Sequence, residues 1–213
     1  MTHIPTPDQV VSVHRPLLRV IVEALRQGTI HAQAYADWMD EAHDRALAPA
    51  LVRKAARRYF IGQGQAVEDE ELDYETEFLS NLGLSITAAG VQIRVLRSAT
   101  GDQLPVPGQS QRRQDFYQQY GLFDHLVSVA FPDPATVPVR LILHWSTDAE
   151  YNLSRVYLAC PRAGGVTRDS VQAHWDWPIW RRHDVAVDGQ VQAEVSDLDI
   201  YLEGDVAAIG NAG

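Results

Sequence analysis

Residues 139–160, VRLILHWSTDAEYNLSRVYLAC, carry the strongest structural signal in the chain. Every second residue from Val139 to Trp145 is apolar, which is the period of a strand with one buried face. The polar segment 146–150 interrupts this pattern, and an apolar segment rich in Val, Tyr and Leu then continues to Cys160. The stretch therefore predicts an antiparallel β-hairpin.

The same alternation predicts further strands on both sides of this hairpin. One strand is expected over 91–96 and another over 171–177, where Pro178 indicates an end at a sheet edge or a bulge. Residues 185–195 predict a second hairpin with a three-residue loop, and 198–202 predict one more strand. Most of the chain after its first third is therefore expected to be β-structure.

The first third of the chain has apolar residues at helical spacing instead. Thr6 and Gln9 match a capping box, which predicts a helix that begins there and continues to Gln27. Pro16 predicts a kink or restart inside this helix, and Gly28 suits the position just after its last turn. We therefore expect separate helices here rather than one long helix.

Three more helices are predicted before the strands begin. They cover about 30–47, 49–61 and 70–82. The last of them begins in an acid run at residues 68–77, where carboxylates would stabilise a helix N-terminus. After Gly83 the apolar period changes from that of a helix to that of a strand.

These patterns define the expected fold class as α+β. A helical unit of three to four helices (1–83) is expected to pack on a mostly antiparallel β unit (84–213) with one short helix near 110–120. The length of 213 residues suits one compact domain overall.

Composition limits the classes of protein that the chain can represent. Cys160 is the single cysteine, so no intrachain disulfide can form, and we expect a small buried hydrophobe there. The sequence shows no basic leader segment. None of its apolar runs approaches the ~20 residues that a membrane span requires. We expect a cytoplasmic protein without membrane contact. Lys54 is the only lysine among many arginines, which indicates a GC-rich bacterial or phage genome.

Motifs that mark common catalytic sites are missing from the sequence. It contains no Walker A loop, no G-x-G-x-x-G, no H-E-x-x-H and no C-x-x-C. The eight histidines are scattered, and no two of them have zinc-ligand spacing. We therefore expect neither a cofactor nor a metal, and a binding protein rather than an enzyme.

The first candidate site is the segment 174–183, HWDWPIWRRH, which holds three of the five tryptophans. Tryptophan and arginine are the residues most enriched at binding hot spots, so Trp177, Trp180, Arg181 and Arg182 are candidate binding residues. The competing interpretation, which we favour for the tryptophans on the apolar face of the strand, is packing in the core.

His174 and Asp176 are the candidate catalytic residues of the same strand. They share its polar face, close enough for the hydrogen bond of a general base and its orienting carboxylate. A solvated strand face has the same pattern, and we favour that interpretation.

A basic helix face is the next candidate. Arg53, Lys54, Arg57 and Arg58 fall together on one side of the helix predicted over 49–61. Such a face could bind phosphates, as in a helix-turn-helix protein. Intramolecular pairing with the acid run is the simplest interpretation, and a solvated surface is another.

Two smaller charged groups complete the candidates. Arg112 and Arg113 lie at the start of the predicted short helix, where cations oppose the helix dipole, so they are candidate anion-binding residues. Asp197, Asp199 and Glu203 line one side of the last predicted strand. They could hold a cation, but we expect a solvated face or one that prevents edge-to-edge pairing of sheets.

The leading functional hypothesis is an accessory or regulatory protein that binds another macromolecule, most simply another protein. Nucleic acid is disfavoured because the net charge is −10. A bacterial or phage defence or counter-defence setting is the expected context. One alternative is an enzyme acting on nucleotides or nucleic acid through the His/Asp pair and arginines. The other is a structural subunit of a homo-oligomer joined at the strand that contains Pro178.

Overall fold

The chain folds as a six-stranded sheet with two long helices on one face and a short helix on the other, which confirms the α+β class. The structure is a computed structural model, and it describes residues 4–39, 47–63, 74–79, 83–98, 103–119 and 138–182. Its helices are α1 (Pro7–Met39), α2 (Leu47–Gln63) and the short α3 (Gln111–Tyr117). Its strands are β1 (Tyr74–Leu79), β2 (Gly83–Ala88), β3 (Val91–Arg97), β4 (Val139–Thr147), β5 (Leu153–Ala163) and β6 (Gln172–Arg181).

Helix α1 begins at the predicted capping box. The Thr6 backbone N–H donates to Gln9 Oε1 at 2.9 Å, and the Gln9 N–H donates to Thr6 Oγ1 at 3.4 Å. Pro7 occupies the first helical position, where no N–H is needed. The reciprocal bonds satisfy two amides that the first turn leaves without partners.

The helix restart predicted at Pro16 is wrong, because α1 passes through this residue without interruption, and the kink stays a prediction. Proline removes one backbone hydrogen bond from the helix and crowds the preceding turn. Val10 and Val11 before it, and Leu17 and Leu18 after it, are all buried in the main core. The burial of apolar side chains before and after Pro16 outweighs the free-energy cost of a proline inside the helix.

The predicted helix end at Gly28 is also wrong, since residues 30–39 of the separate helix expected over 30–47 form the second half of α1. A Cβ built on Gly28 would lie 2.7 Å from the carbonyl oxygen of Val52 in α2. The glycine therefore allows the two helices to approach closely. The helix predicted over 49–61 is confirmed within α2.

A strand replaces the helix predicted over 70–82. β1 pairs antiparallel with β2, from Tyr74 opposite Ala88 to Leu79 opposite Gly83. Tyr74, Thr76 and Phe78 alternate with glutamates in the sequence, which is a strand period inside the acid run. The change from helix to strand therefore lies before Tyr74. The division of the chain into a helical unit and a β unit at residue 83 stays a prediction.

The six strands lie in the sheet in chain order, from β1 to β6. The β4–β5 hairpin is confirmed, with Leu143 opposite Leu158. Among the described strands, β3 and β4 form the one parallel pair, and the predicted short helix, α3, is confirmed in the connection between them. β6 does not end at Pro178 but continues to Arg181 past a register irregularity, as expected for a bulge.

The sheet is covered on both faces near β4. Leu141 and Leu143 belong to the main core with α1 and α2, whereas Ile142 packs with Phe116 of α3 and Leu104 on the other face. Cys160 on β5 is 0% exposed, and burial raises the pKa of its thiol to about 12. Its expected role as a small buried hydrophobe is confirmed.

Some predictions concern residues outside the described ranges. They are the hairpin over 185–195, the strand over 198–202 and the acidic face of Asp197, Asp199 and Glu203. None of the described helices combines the length and the apolar character that crossing a membrane requires.

Gly28→Ala is expected to lower the free energy of unfolding by ~1–3 kcal/mol, because overpacking against a backbone carbonyl forces the two helices apart. Gly62→Ala is the matched control, since nothing lies within 4 Å of the added methyl group. It should raise the free energy of unfolding by up to ~1 kcal/mol, from better helix propensity. Urea unfolding measures both, and effects of equal sign and size would contradict the close approach.

Candidate functional site

A groove of about 760 Å³ lies between the second half of α1 and the outer face of α2. We call it the α1–α2 groove. Its lining residues include three cations and three rings: Lys54, Arg57, Arg58, His31, Tyr35 and Tyr59. It is thus a basic surface with aromatic walls, large enough for several side chains of a partner.

The amphipathic pattern of α2 explains why the cations lie together. Lys54, Arg57 and Arg58 are spaced i, i+3 and i+4, so they share one face of the helix. Val52 and Ala56, four residues apart, are buried on the opposite side. Three members of the predicted basic face therefore line the groove. The fourth, Arg53, is half-buried and is not among the residues that line it.

The groove concentrates positive charge in a protein whose net charge is −10. None of its described lining residues is acidic.

Burial, followed by the negative charge of Glu23, raises the pKa of Tyr59 in the groove wall. The Glu23 carboxylate is already held by Arg26, with two bonds of 2.7 Å, and by Gln27 at 2.8 Å. The predicted pairing of the basic face with the acid run stays a prediction.

Apolar side chains extend the groove at the end of α1. Trp38 is 77% exposed, and its ring lies 5.9 Å from that of Tyr35, a lining residue of the groove. Before them, Gln33 donates to the Glu150 carbonyl oxygen at 2.8 Å, which fixes this part of α1 to the β4–β5 connection. An exposed tryptophan beside a groove is a typical anchor for a partner.

The tryptophans of the β6 segment lie on the helix-facing side of the sheet. Trp177 and Trp180 are half-buried and pack against the main core. Trp175 does the same, and its Nε1–H donates to the Pro5 carbonyl oxygen at 2.9 Å. This placement supports the core interpretation for the three rings.

The two arginines at the end of that segment contact residues of the chain itself. Arg181 Nη2 donates to the Tyr157 hydroxyl at 2.6 Å. Arg182 Nη1 forms an ion pair with Asp148 Oδ2 at 2.9 Å, in the β4–β5 connection. A partner would have to compete with these contacts, so the segment is a weaker candidate than the groove.

The structure does not pair His174 with Asp176. His174 is exposed, whereas the Asp176 carboxylate oxygens lie 2.9 and 3.1 Å from Nε2 of His144, on β4. The pairing spans β5, where the Tyr157 ring stacks on His144 at a centroid distance of 5.2 Å. Sequence spacing could not find it, because the partners lie 32 residues apart.

The buried position of His144 limits what this pair can do. The His144 side chain is 0% exposed, and its Nδ1 is buried without a hydrogen-bond partner among the described residues. An Nε2–H that donates to the Asp176 carboxylate satisfies the geometry. A substrate has no access to the ring in this arrangement, so the pair acts as a structural tie across β5.

The α3 region holds arginines around an aromatic ring. Arg112 and Arg113 are exposed in its first turn, whereas Phe116 is buried. The Cζ atoms of Arg94 and Arg140 lie 4.0 and 5.9 Å from the centre of the Phe116 ring. These cation–π contacts hold α3 on the sheet.

Gln119 closes the α3 region onto β4 and β5. It has a φ of 61° and is nearly buried. Its Nε2 donates to the carbonyl oxygens of Arg140 at 2.7 Å and Pro161 at 2.8 Å. Sequence reasoning missed Gln119 because nothing in its local pattern marks a residue that bridges two distant strands.

No family model, curated protein or solved structure matches this chain. Across the described ranges, no three His, Cys, Asp or Glu side chains come together as a metal site requires. The fold and the site define an α+β protein with a basic groove on its helical layer.

Asp176→Ala is expected to lower the free energy of unfolding by ~1–3 kcal/mol, because it leaves His144 Nε2 buried without a partner. His174→Ala on the same strand is the control, since its side chain is exposed. It should change stability by less than ~0.5 kcal/mol. Urea unfolding of both variants checks this, and equal losses would contradict the assigned pairing.

Proposed function

We propose that this chain is an accessory or regulatory protein that binds another protein, without catalysis, through the α1–α2 groove. One observation supports this most: Lys54, Arg57 and Arg58 share a groove that has no acidic residue among its described lining. The partner segment is therefore acidic. Opposite charges steer it into the groove and select it over neutral or basic segments.

The partner segment also carries an apolar side chain. Tyr35 and Tyr59 give the groove aromatic walls, and Trp38 stands exposed beside it. Buried aromatic anchors supply most of the binding energy in protein interfaces, and the surrounding charges set orientation and association rate. An acidic segment with a large apolar residue complements both features.

A protein partner fits the charge distribution better than nucleic acid does. Nucleic-acid affinity comes largely from many phosphate contacts, and a net charge of −10 opposes the approach of a long polyanion. A short acidic segment has few charges beyond the groove, and solvent screens charges more than ~8 Å away at physiological salt. A cytoplasmic location and a bacterial or phage defence or counter-defence setting belong to the same proposal.

The enzyme alternative has less support. It needs a histidine and a carboxylate that converge with arginines in an open cleft. His174 is exposed and separate from Asp176, while His144 is buried. The homo-oligomer alternative stays a prediction, with β6 at the edge of the described sheet.

Binding of fluorescently labelled poly-L-glutamate, followed by anisotropy, tests the groove. The double variant Arg57→Glu/Arg58→Glu is expected to bind about tenfold more weakly or worse, a loss of ~1.4 kcal/mol, because it replaces attraction by repulsion. Arg19→Glu/Arg162→Glu is the control with the same change in net charge, at exposed positions on α1 and β5 that do not line the groove.

Two outcomes would overturn the proposal. Equal weakening by the control variant would mean that the protein responds to net charge and has no specific groove. Tighter binding of a single-stranded oligonucleotide of equal charge, lost in the same groove variant, would replace a protein partner by nucleic acid. Melting temperatures close to that of the unsubstituted protein confirm that the variants are folded.

A further inference from the structure

The lining of the α1–α2 groove is arranged in rows of residues that are four apart in sequence. Its ten described residues form one row on α1 and three rows on α2. The α1 row is Gln27, His31 and Tyr35, and the α2 rows are Leu51 with Ala55 and Tyr59, Lys54 with Arg58, and Arg57 with Ile61. Residues four apart lie one above another on a helix, so each row runs along the groove. Such rows are the ridges between which the side chains of another helix pack.

The middle row of α2 forms the floor of the groove. Leu51, Ala55 and Tyr59 are half-buried, whereas the three cations beside them are exposed. Leu51 and Tyr59 also pack against the main core, which holds both ends of the row in place. Ala55 between them carries only a methyl group. A large apolar side chain of a partner therefore has room above the centre of the floor.

Aromatic side chains extend the α1 wall past the groove. Trp38 lies seven residues after His31 and three after Tyr35, so the three side chains share one face of α1. The Trp38 side chain is 77% exposed, and its ring lies 5.9 Å from the Tyr35 ring. The wall from Gln27 to Trp38 is ~16 Å long at the rise of an α-helix, which matches about three turns of a docked helix.

The groove presents side chains to a partner and no free backbone. Residues 27–35 and 51–59 lie inside α1 and α2, where N–H and C=O groups bond within the helix. An extended segment would lose water from its own backbone groups in the groove without gaining partners for them. A helix satisfies its backbone groups internally, which is why grooves of this kind bind amphipathic helices.

We infer that the α1–α2 groove binds an acidic amphipathic helix of about three turns. Apolar side chains of that helix pack over Ala55 and against Tyr35 and Trp38. Carboxylates four residues apart in the partner face Lys54 and Arg58, which have the same spacing. The inference rests on the proposed function, because it takes an acidic protein partner as given and specifies the conformation of the bound segment.

Two labelled peptides of about twelve residues test the conformation by fluorescence anisotropy. The first has leucines and glutamates on adjoining faces of an alanine-rich helix. The second is the same peptide with its central alanine replaced by proline, which breaks a helix and keeps every charge. The first peptide should bind about tenfold tighter or more. Circular dichroism should show a gain in helix on binding, because so short a helix is marginal in free solution. Equal affinities would overturn the inference.

Variants of the groove locate the bound helix. Ala55→Leu fills the floor and should weaken binding of the helical peptide about tenfold, while binding of poly-L-glutamate, which has no apolar side chain to seat there, changes little. Ala163→Leu is the matched control, since Ala163 is a half-buried alanine at the end of β5 that does not line the groove. Trp38→Ala, at an exposed position, should also weaken binding of the helical peptide about tenfold without lowering the melting temperature.

The results separate this inference from the proposed function. Equal binding of both peptides, lost in Arg57→Glu/Arg58→Glu, would keep an acidic partner and make the helical conformation wrong. Failure of the wild-type protein to bind either peptide or poly-L-glutamate would contradict the proposed function itself. Full binding of the helical peptide by both Ala55→Leu and Trp38→Ala would overturn the assigned contacts. A dimer in sedimentation that Ala55→Leu abolishes would assign the groove to a second copy of the chain instead.

Discussion

The structure depends on the burial of β4 on both of its faces. Leu143 is 0% exposed toward the helical layer, and His144, its neighbour in sequence, is 0% exposed toward the other side. A strand buried on both faces requires a layer on each side of the sheet. α1 and α2 cover one face, and α3 with its preceding loop covers part of the other. His144 on β4 meets Asp176 of β6 through its Nε2, whereas its Nδ1 and the Nε1 of Trp145 have no hydrogen-bond partner among the described residues.

The same constraint places charge at the outside of the helical layer. Because Val52 and Ala56 point into the core, the cations that follow them in the helical period point outward into the α1–α2 groove.

Local patterns predicted those parts of the fold that depend on neighbouring residues. The capping box at Thr6, the β4–β5 hairpin and α3 follow from short-range spacing. The helix restart predicted at Pro16 and the helix end predicted at Gly28 were wrong, because burial and close helix packing outweigh the local backbone preference of these residues. The residues brought together from distant segments, such as His144 with Asp176, depend on the order of strands, which no local pattern encodes.

The central claim is that the binding surface lies on the helical layer and not on the Trp/Arg strand. Hydrogen–deuterium exchange with and without bound poly-L-glutamate tests it most directly, because exchange reports local opening segment by segment. The account predicts slower exchange in the second half of α1 and in α2, with no change in β6. Slower exchange in β6, with α1 and α2 unaffected, would contradict it.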